Sequence, residues 1–390
     1  MQVSKLFRFS LSELSIYTKS LFYKKNKNLW VFGAWHGDTY SDNSKYLFEY
    51  VTAEHPEIRC VWVTHRDEIV EIVRNAGYEA YIIDSKEAKR ILNQASVFIV
   101  TEGYKDVGGY KHARTKLIQL WHGVAPKKMQ WSTDIPKWKK FIVNILYDNH
   151  KKSFWMCSSE RNIKTMHELL NIDVNKAYAT GYPRNDQFVH PRNKSQVICD
   201  LERSHPGMRK IIYMPTHRNF GSEGTAFSAH ELIEVDQLLK EKDIVMLFKP
   251  HIHEIKNYEK LNLRLSNIVM GSTATYNDVY SYISDFDLLI SDYSSIIYDF
   301  LCTKKPIVLF PYDMDKFGKS DAGLFDYYTS LPCGPFCNNW IEVIAQVELL
   351  LKSDPYYEQR ERCRREFHPF DDGKNCERVY NAIRKILNQR

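Results

Sequence analysis

The sequence predicts an α/β protein built from two doubly wound, Rossmann-type domains that face each other across a central cleft. Three observations lead there. Short β-branched and aromatic runs alternate with amphipathic stretches, the mark of parallel sheets assembled from βαβ units. The alternation restarts near residue 208, after a polar stretch (191–207) that carries His205-Pro206. The 390 residues also exceed one ordinary domain and suit two of roughly 150–200 residues each.

In the first half the strand-like runs are Leu29–Gly33, Arg59–Thr64, Ala80–Asp84, Ser96–Thr101, Lys116–Trp121 and Phe154–Cys157. In the second they are Lys210–Met214, Ile244–Phe248, Asn267–Met270, Asp287–Ile290 and Pro306–Phe310. Asp67–Gly77 and Ser85–Asn93 read as the amphipathic helices between strands. The domain join falls between about residues 183 and 208. The expected organisation is an N-terminal amphipathic helix (1–28), a first domain (29–190), a second domain (191–365), and a C-terminal helix (366–390) packing back across the domains.

Two segments stand outside the alternation. Residues 5–25 place Phe7, Leu11, Leu14, Leu21 and Phe22 near one helical face among scattered lysines. They read either as a helix docked on the first domain or as an interfacial membrane helix. Residues 126–152 interleave Lys127, Lys128, Lys137, Lys139, Lys140, Lys151 and Lys152 with Trp131, Trp138, Phe141 and Tyr147. A solvated helical hairpin has a similar pattern. Clustered lysines beside two tryptophans also suit an anionic lipid surface, with rings at headgroup depth and ammonium groups on phosphates.

The chain carries 54 Lys+Arg against 48 Asp+Glu, a formal net charge of +6. That is mildly basic, suited to anionic substrates or an anionic membrane and short of a dedicated nucleic-acid binder. No nucleic-acid motif accompanies the basic residues. The eight cysteines form no C-x-x-C pair and suit buried thiols in a reducing compartment. Met1–Ser20 lacks the unbroken apolar core of a signal peptide, and no run of 18 apolar residues occurs. The expected location is therefore cytoplasmic.

Ligands of open α/β sheets bind beyond the carboxyl ends of the strands, and four polar clusters fall at such ends. His122, in Trp121-His122-Gly123, leaves a strand on a glycine-permitted turn, where an imidazole can take a proton near neutral pH. Thr216 and Arg218 close the run Ile211–Met214 and are placed to hydrogen-bond a base or phosphate. Lys249 and His251 leave a buried strand as a cation pair able to brace an anionic leaving group. Ser294 and Ser295 open an apolar helix whose free N–H groups make an anion site, or serve as plain caps. No metal and no cofactor is expected: His251-Ile252-His253 lacks companion ligands, and Asp285-Phe286-Asp287 and Asp313-Met314-Asp315 read as incidental. Neither G-x-G-x-x-G nor the Walker pattern is present, which argues against a dehydrogenase or a P-loop NTPase.

Taken in order, these strings resemble the CDP-glycerol glycerophosphotransferase family of teichoic acid and capsule synthesis, over about residues 29–380. The resemblance rests on Tyr40-Ser41-Asp42-Asn43, Trp121-His122-Gly123 with its following lysine pair, Gly181-Tyr182-Pro183-Arg184-Asn185-Asp186, Pro215-Thr216-x-Arg218, Ser291-Asp292-Tyr293-Ser294-Ser295 and Phe370-Asp371-Asp372-Gly373-Lys374. It departs from the family where Pro250 precedes His251 and where Val124-Ala125-Pro126 follows the Trp-His-Gly string.

The resemblance implies a GT-B-like architecture with a metal-independent site between an acceptor-side and a donor-side domain. It implies transfer of glycerol phosphate from CDP-glycerol to a hydroxyl of a membrane-bound acceptor, a lipid-linked glycan or polyol phosphate, with release of CMP. CDP-ribitol is the alternative donor. His122 matches the proposed general base and His251 the histidine near the donor phosphates. Thr216, Arg218, Lys249, Asp292, Ser294 and Ser295 fall on the donor side. Asp42, Lys127, Lys128, Trp131 and Trp138 fall on the acceptor and membrane side, and the protein is expected on the inner face of the cell membrane. Rival readings are a GT-B glycosyltransferase using a nucleotide sugar and a non-catalytic nucleotide-binding subunit docked on the membrane.

Overall fold

A computed structural model describes residues 2–128, 130–132, 136, 148–190, 193–218, 225, 227–251, 254–271, 278–314 and 323–389. The chain divides into two compact units. One comprises Met1–His122, Pro136–Asp186 and Asp372–Arg390, the other Gly123–Ile135 and Gln187–Asp371.

The first unit is built on a seven-stranded parallel sheet of β1 (Asn26–Phe32), β2 (Arg59–Thr64), β3 (Ala80–Ile82), β4 (Ala95–Val100), β5 (Lys116–Gln119), β6 (Phe154–Cys157) and β7 (Ala177–Ala179). Their spatial order is β3-β2-β1-β4-β5-β6-β7. Side chains alternate across the strands. Trp30, Phe32, Val97 and Ile99 therefore join one core layer, while Leu29, Val31, Phe98 and Val100 join the other. Both faces are covered, so the strands read as nearly continuous apolar runs, and for that reason they are visible in the sequence. The short strand β7 is half-buried along its length and carries only one β-forming residue, Tyr178, between two alanines. It is absent from the sequence expectation.

The second unit holds a five-stranded parallel sheet of β8 (Arg209–Met214), β9 (Ile244–Phe248), β10 (Ile268–Met270), β11 (Leu288–Ser291) and β12 (Ile307–Leu309), in the order β10-β9-β8-β11-β12. Ile211, Tyr213, Met246, Phe248, Leu288 and Ile290 pack there with Trp340, Val343 and Val347 of the helix Trp340–Lys352. In both sheets the order reverses beside the first strand of the unit, between β1 and β4 and between β8 and β11. Those two points are where an open α/β sheet leaves a crevice.

One segment sits differently from its sequence assignment. Gly123–Ile135 clusters with the second unit: Lys127 pairs in a β-bridge with Leu324 and the Lys128 N–H donates to Gly323 at 2.9 Å. The C-terminal helix Asn375–Asn388 packs on the first unit, adding Cys376, Val379, Ala382, Ile383 and Ile386 to the core around Trp30, Leu47 and Val51. The helix Tyr357–Phe367 stays with the second unit. The N-terminal helix spans Gln2–Leu21, and the Ser20 hydroxyl oxygen accepts the Ala113 N–H at 2.7 Å. Leu14, Leu21 and Phe22 remain exposed, Phe22 to 90%. No helix among the described residues is long and apolar enough to cross a membrane.

Candidate active site

At the carboxyl edge of the first sheet, β5 delivers Trp121 and His122. Trp121 adopts the left-handed conformation (φ 55°), a strained state for a bulky residue that persists only when its surroundings hold it. Two contacts do so. Asn43 Nδ2 donates to the Trp121 carbonyl at 2.9 Å, and Arg184 Nη2 donates to the His122 carbonyl at 3.1 Å. The imidazole stacks on Trp121 (centroids 4.2 Å) and meets Trp35 on another side (5.0 Å). This packing pushes the His122 pKa down to about 4, with Asp42 pulling it up and Arg184 pushing it further down. His122 is thus neutral near pH 7, and Nδ1 is buried with no hydrogen-bond partner among the described residues. A neutral imidazole can take a proton from a hydroxyl at its unprotonated ring nitrogen.

Asp42, expected on the acceptor side, is a buried brace. Its carboxylate takes Arg184 Nη1 on one oxygen and Trp35 Nε1 (3.0 Å) on the other, and it too sits at positive φ (65°). Arg184 is fully buried. The rest of its string is structural as well: Asp186 accepts the N–H groups of Asn375 (2.8 Å) and Cys376 (2.7 Å) and so caps the C-terminal helix. Gly181 (φ 78°) is obligatory beside it, because an added Cβ would lie 1.9 Å from Asn375 Oδ1.

At the carboxyl edge of the second sheet, Asp292 follows β11 and is buried. It accepts the Thr216 N–H and hydroxyl (2.9 and 2.6 Å), the Tyr293 N–H (2.6 Å) and Arg218 Nη2 (2.8 Å). Arg218 also pairs with Asp313 (2.7 and 2.9 Å) and lies over the rings of Tyr293 and Tyr312. The expectation that Arg218 offers its guanidinium to a phosphate therefore needs amending. Two carboxylates already occupy it, and it ties the β8 and β11 loops together. Asp313, read from sequence as incidental, is one of those ties.

Around this brace lie Lys249, His251, Ser294 and Ser295. Lys249 is half-buried, and burial lowers its pKa; its ammonium has no partner among the described residues. His251 is exposed, 4.7 Å ring to ring from His217, whose Nδ1 is 3.1 Å from the buried carboxylate of Glu254. Glu254 also accepts the Arg218 N–H at 2.7 Å. Ser294 and Ser295, both half-buried, precede the short helix Ile296–Phe300. Lys127, Lys128 and Trp131 are half-buried in the second unit, whereas Trp138 and residues 137–147 lie outside the described residues, as does His253. Sequence reasoning assigned no role to Trp35, His217 or Glu254, and quoted Arg184 only as part of its string. Trp35 had a usable signal: Trp35-His36-Gly37 follows a strand with the same three residues as Trp121-His122-Gly123.

The family model described as CDP-glycerol:poly(glycerophosphate) glycerophosphotransferase matches residues 15–385. The chain is 29% identical to the teichoic acid glycerol-phosphate transferase of Staphylococcus aureus (strain NCTC 8325 / PS 47), over 96% of this chain and 98% of that one. It is 27% identical to the teichoic acid poly(glycerol phosphate) polymerase of Staphylococcus epidermidis, covering 92% of this chain but only 51% of the polymerase. Among solved structures, the wall teichoic acid polymerase TagF superposes with a TM-score of 0.76 at 22% identity, over 97% of this chain and 93% of that one. The match supports the GT-B-like fold.

Proposed function

Because the chain belongs to the CDP-glycerol:poly(glycerophosphate) glycerophosphotransferase family, and so transfers glycerol phosphate from CDP-glycerol, we propose that its acceptor is a membrane-bound hydroxyl of teichoic acid or capsule type and that His122 is the base. The acceptor oxygen loses its proton to His122 and attacks the donor β-phosphorus. A new P–O bond forms, the P–O bond to the CMP moiety breaks, and CMP carries away the electron pair. Lys249, His251 and the Ser294/Ser295 N–H groups and hydroxyls stabilise charge on the donor phosphates, while Arg218, Asp292 and Thr216 keep that loop in place. Positioning and electrostatics supply most of the acceleration, as is usual for phosphoryl transfer.

The observation that carries this reading is His122 itself: neutral through burial, sandwiched by Trp35 and Trp121, and fixed through its carbonyl by Arg184. Exposed Phe22 and Leu14 on the N-terminal helix, near Lys19 and Lys24, support a peripheral seat on anionic lipid.

The test is purified protein with CDP-glycerol, CDP-ribitol, UDP-sugars or GDP-sugars and lipid-linked acceptors, scoring nucleotide release and product mass. The expected result is CMP with a product heavier by one glycerol phosphate. Release of UDP or GDP instead refutes the reading, and a His122→Ala variant with normal turnover refutes the base assignment.

A further inference from the structure

The reversal of strand order between β1 and β4 lies inside the first unit, beside the strand that leads to His122. The loop after β1 supplies Trp35 and His36; the loop after β4 supplies Glu102. His36 Nε2 and Glu102 Oε2 make a close polar contact across the reversal point. One buried carboxylate aims both halves: Asp106 Oδ1 accepts the His36 N–H (2.8 Å), and Oδ2 accepts the N–H groups of Thr101 (2.8 Å) and Glu102 (2.9 Å). Gln119, at the end of β5, donates to the Glu102 carbonyl at 2.9 Å. Three neighbouring strands thus present His36, Glu102 and His122 along one edge.

The local backbone is strained. Trp35, His36 and Gly37 are consecutive positive-φ residues (47°, 58° and 82°), and such runs persist where the surroundings over-determine them, most often at ligand sites. The strain does not serve stability through the His36–Glu102 contact, because the His36 side chain is 47% exposed and exposed polar pairs contribute little. Trp35 keeps 38% exposure although one side of its ring meets His122 and its indole N–H is held by Asp42.

We propose that Glu102, His36 and the open face of Trp35 form the subsite for the terminal hydroxyls of the acceptor, a polyol or sugar end carrying a vicinal diol. This rests on the transferase reading of His122. A carboxylate accepts two adjacent hydroxyl protons, the paired imidazole fixes its orientation, and an aromatic face covers the C–H surface of a polyol or pyranose. The same carboxylate disfavours the donor diphosphate, so the subsite selects the neutral end of the acceptor and brings its hydroxyl beside His122.

The experiment uses the full chain, CDP-glycerol and two synthetic acceptors: an alkyl-linked disaccharide ending in one glycerol phosphate, and the same compound lacking the secondary terminal hydroxyl. The wild type should lose about tenfold in kcat/KM on the deoxy acceptor, the weight of one hydrogen bond to a charged group. Glu102→Gln and His36→Gln should raise the acceptor KM by a similar factor, leave the KM for CDP-glycerol within about twofold, and no longer distinguish the two acceptors. A wild type that treats both acceptors alike overturns the subsite, whatever the variants do. A penalty for the deoxy compound that survives in folded Glu102→Gln overturns it too. A wild type releasing no CMP with either acceptor refutes the transferase reading, and the subsite falls with it.

Discussion

Arg184 donates one arm of its guanidinium to the carbonyl of His122 and another to the carboxylate of Asp42, so one fully buried cation holds both ends of the loop system around the imidazole. Removing one partner of a buried charge pair leaves the other uncompensated, at a cost of about 3–5 kcal/mol. Arg184→Ala should therefore lower the urea midpoint severely. Arg184→Lys keeps the charge but cannot bridge both acceptors. It should fold, bind CDP-glycerol normally and lose about 100-fold in kcat, the scale of a misplacement near 1 Å; full turnover would show that the carbonyl contact is dispensable.

The base role proposed for His122 requires its neutral form, and its pKa is pushed down to about 4. The acid limb of kcat/KM for CDP-glycerol should accordingly be centred near pH 4. A limb centred at the ordinary histidine value near 6.5 would mean that the ring is solvated in the working enzyme.

Stability should show a related trend. Burial pushes His112, His122 and His150 each down to about 4. Between the unfolded value near 6.5 and about 4, the unfolded chain binds protons that the folded chain refuses. Stability is full above pH 6.5 and should decline steadily on acidification through that window. Replacing His112 by Gln should flatten the decline measurably in urea titrations at pH 7 and pH 5; an unchanged slope would show that His112 protonates freely in the fold.

In the second unit, Asp313→Asn strips Arg218 of one of its two carboxylates. Arg218 then relies on Asp292 alone. We expect about 1.5–3 kcal/mol of lost stability and a raised KM for CDP-glycerol as the Thr216 loop loosens, with the acceptor KM unchanged.

Gly181→Ala places a methyl group against Asn375 and forces a left-handed alanine. Strain of about 1–3 kcal/mol should appear as a lower melting temperature, and the C-terminal helix should become the first site of proteolysis.

The strands were legible because burial on both faces leaves long β-branched and aromatic runs such as Arg59–Thr64 and Ile244–Phe248. Strand β7 was not, being three half-buried residues with little propensity. At the site, His122 could be picked out because glycine follows it at a strand end. The brace around it could not, since Asp42 and Arg184, each inside a recognisable string, lie 142 positions apart and nothing local pairs them. Arg218 was read as a ligand for the same reason: its partner Asp313 is 95 positions away and was dismissed as half of a chance triplet. His36 and Glu102 meet only because β1 and β4 are neighbours, which is a property of topology.

The docking of Asn375–Asn388 beneath the first sheet has a consequence for how the polypeptide matures. The half that emerges earliest from the ribosome owns its last helix only after Gln187–Asp371 has been translated, roughly ten to forty seconds later at ordinary synthesis rates. Until then Trp30, Leu47 and Val51 lack their cover, so a nascent chain stalled in that interval should recruit chaperones to its leading portion while the trailing portion folds unaided.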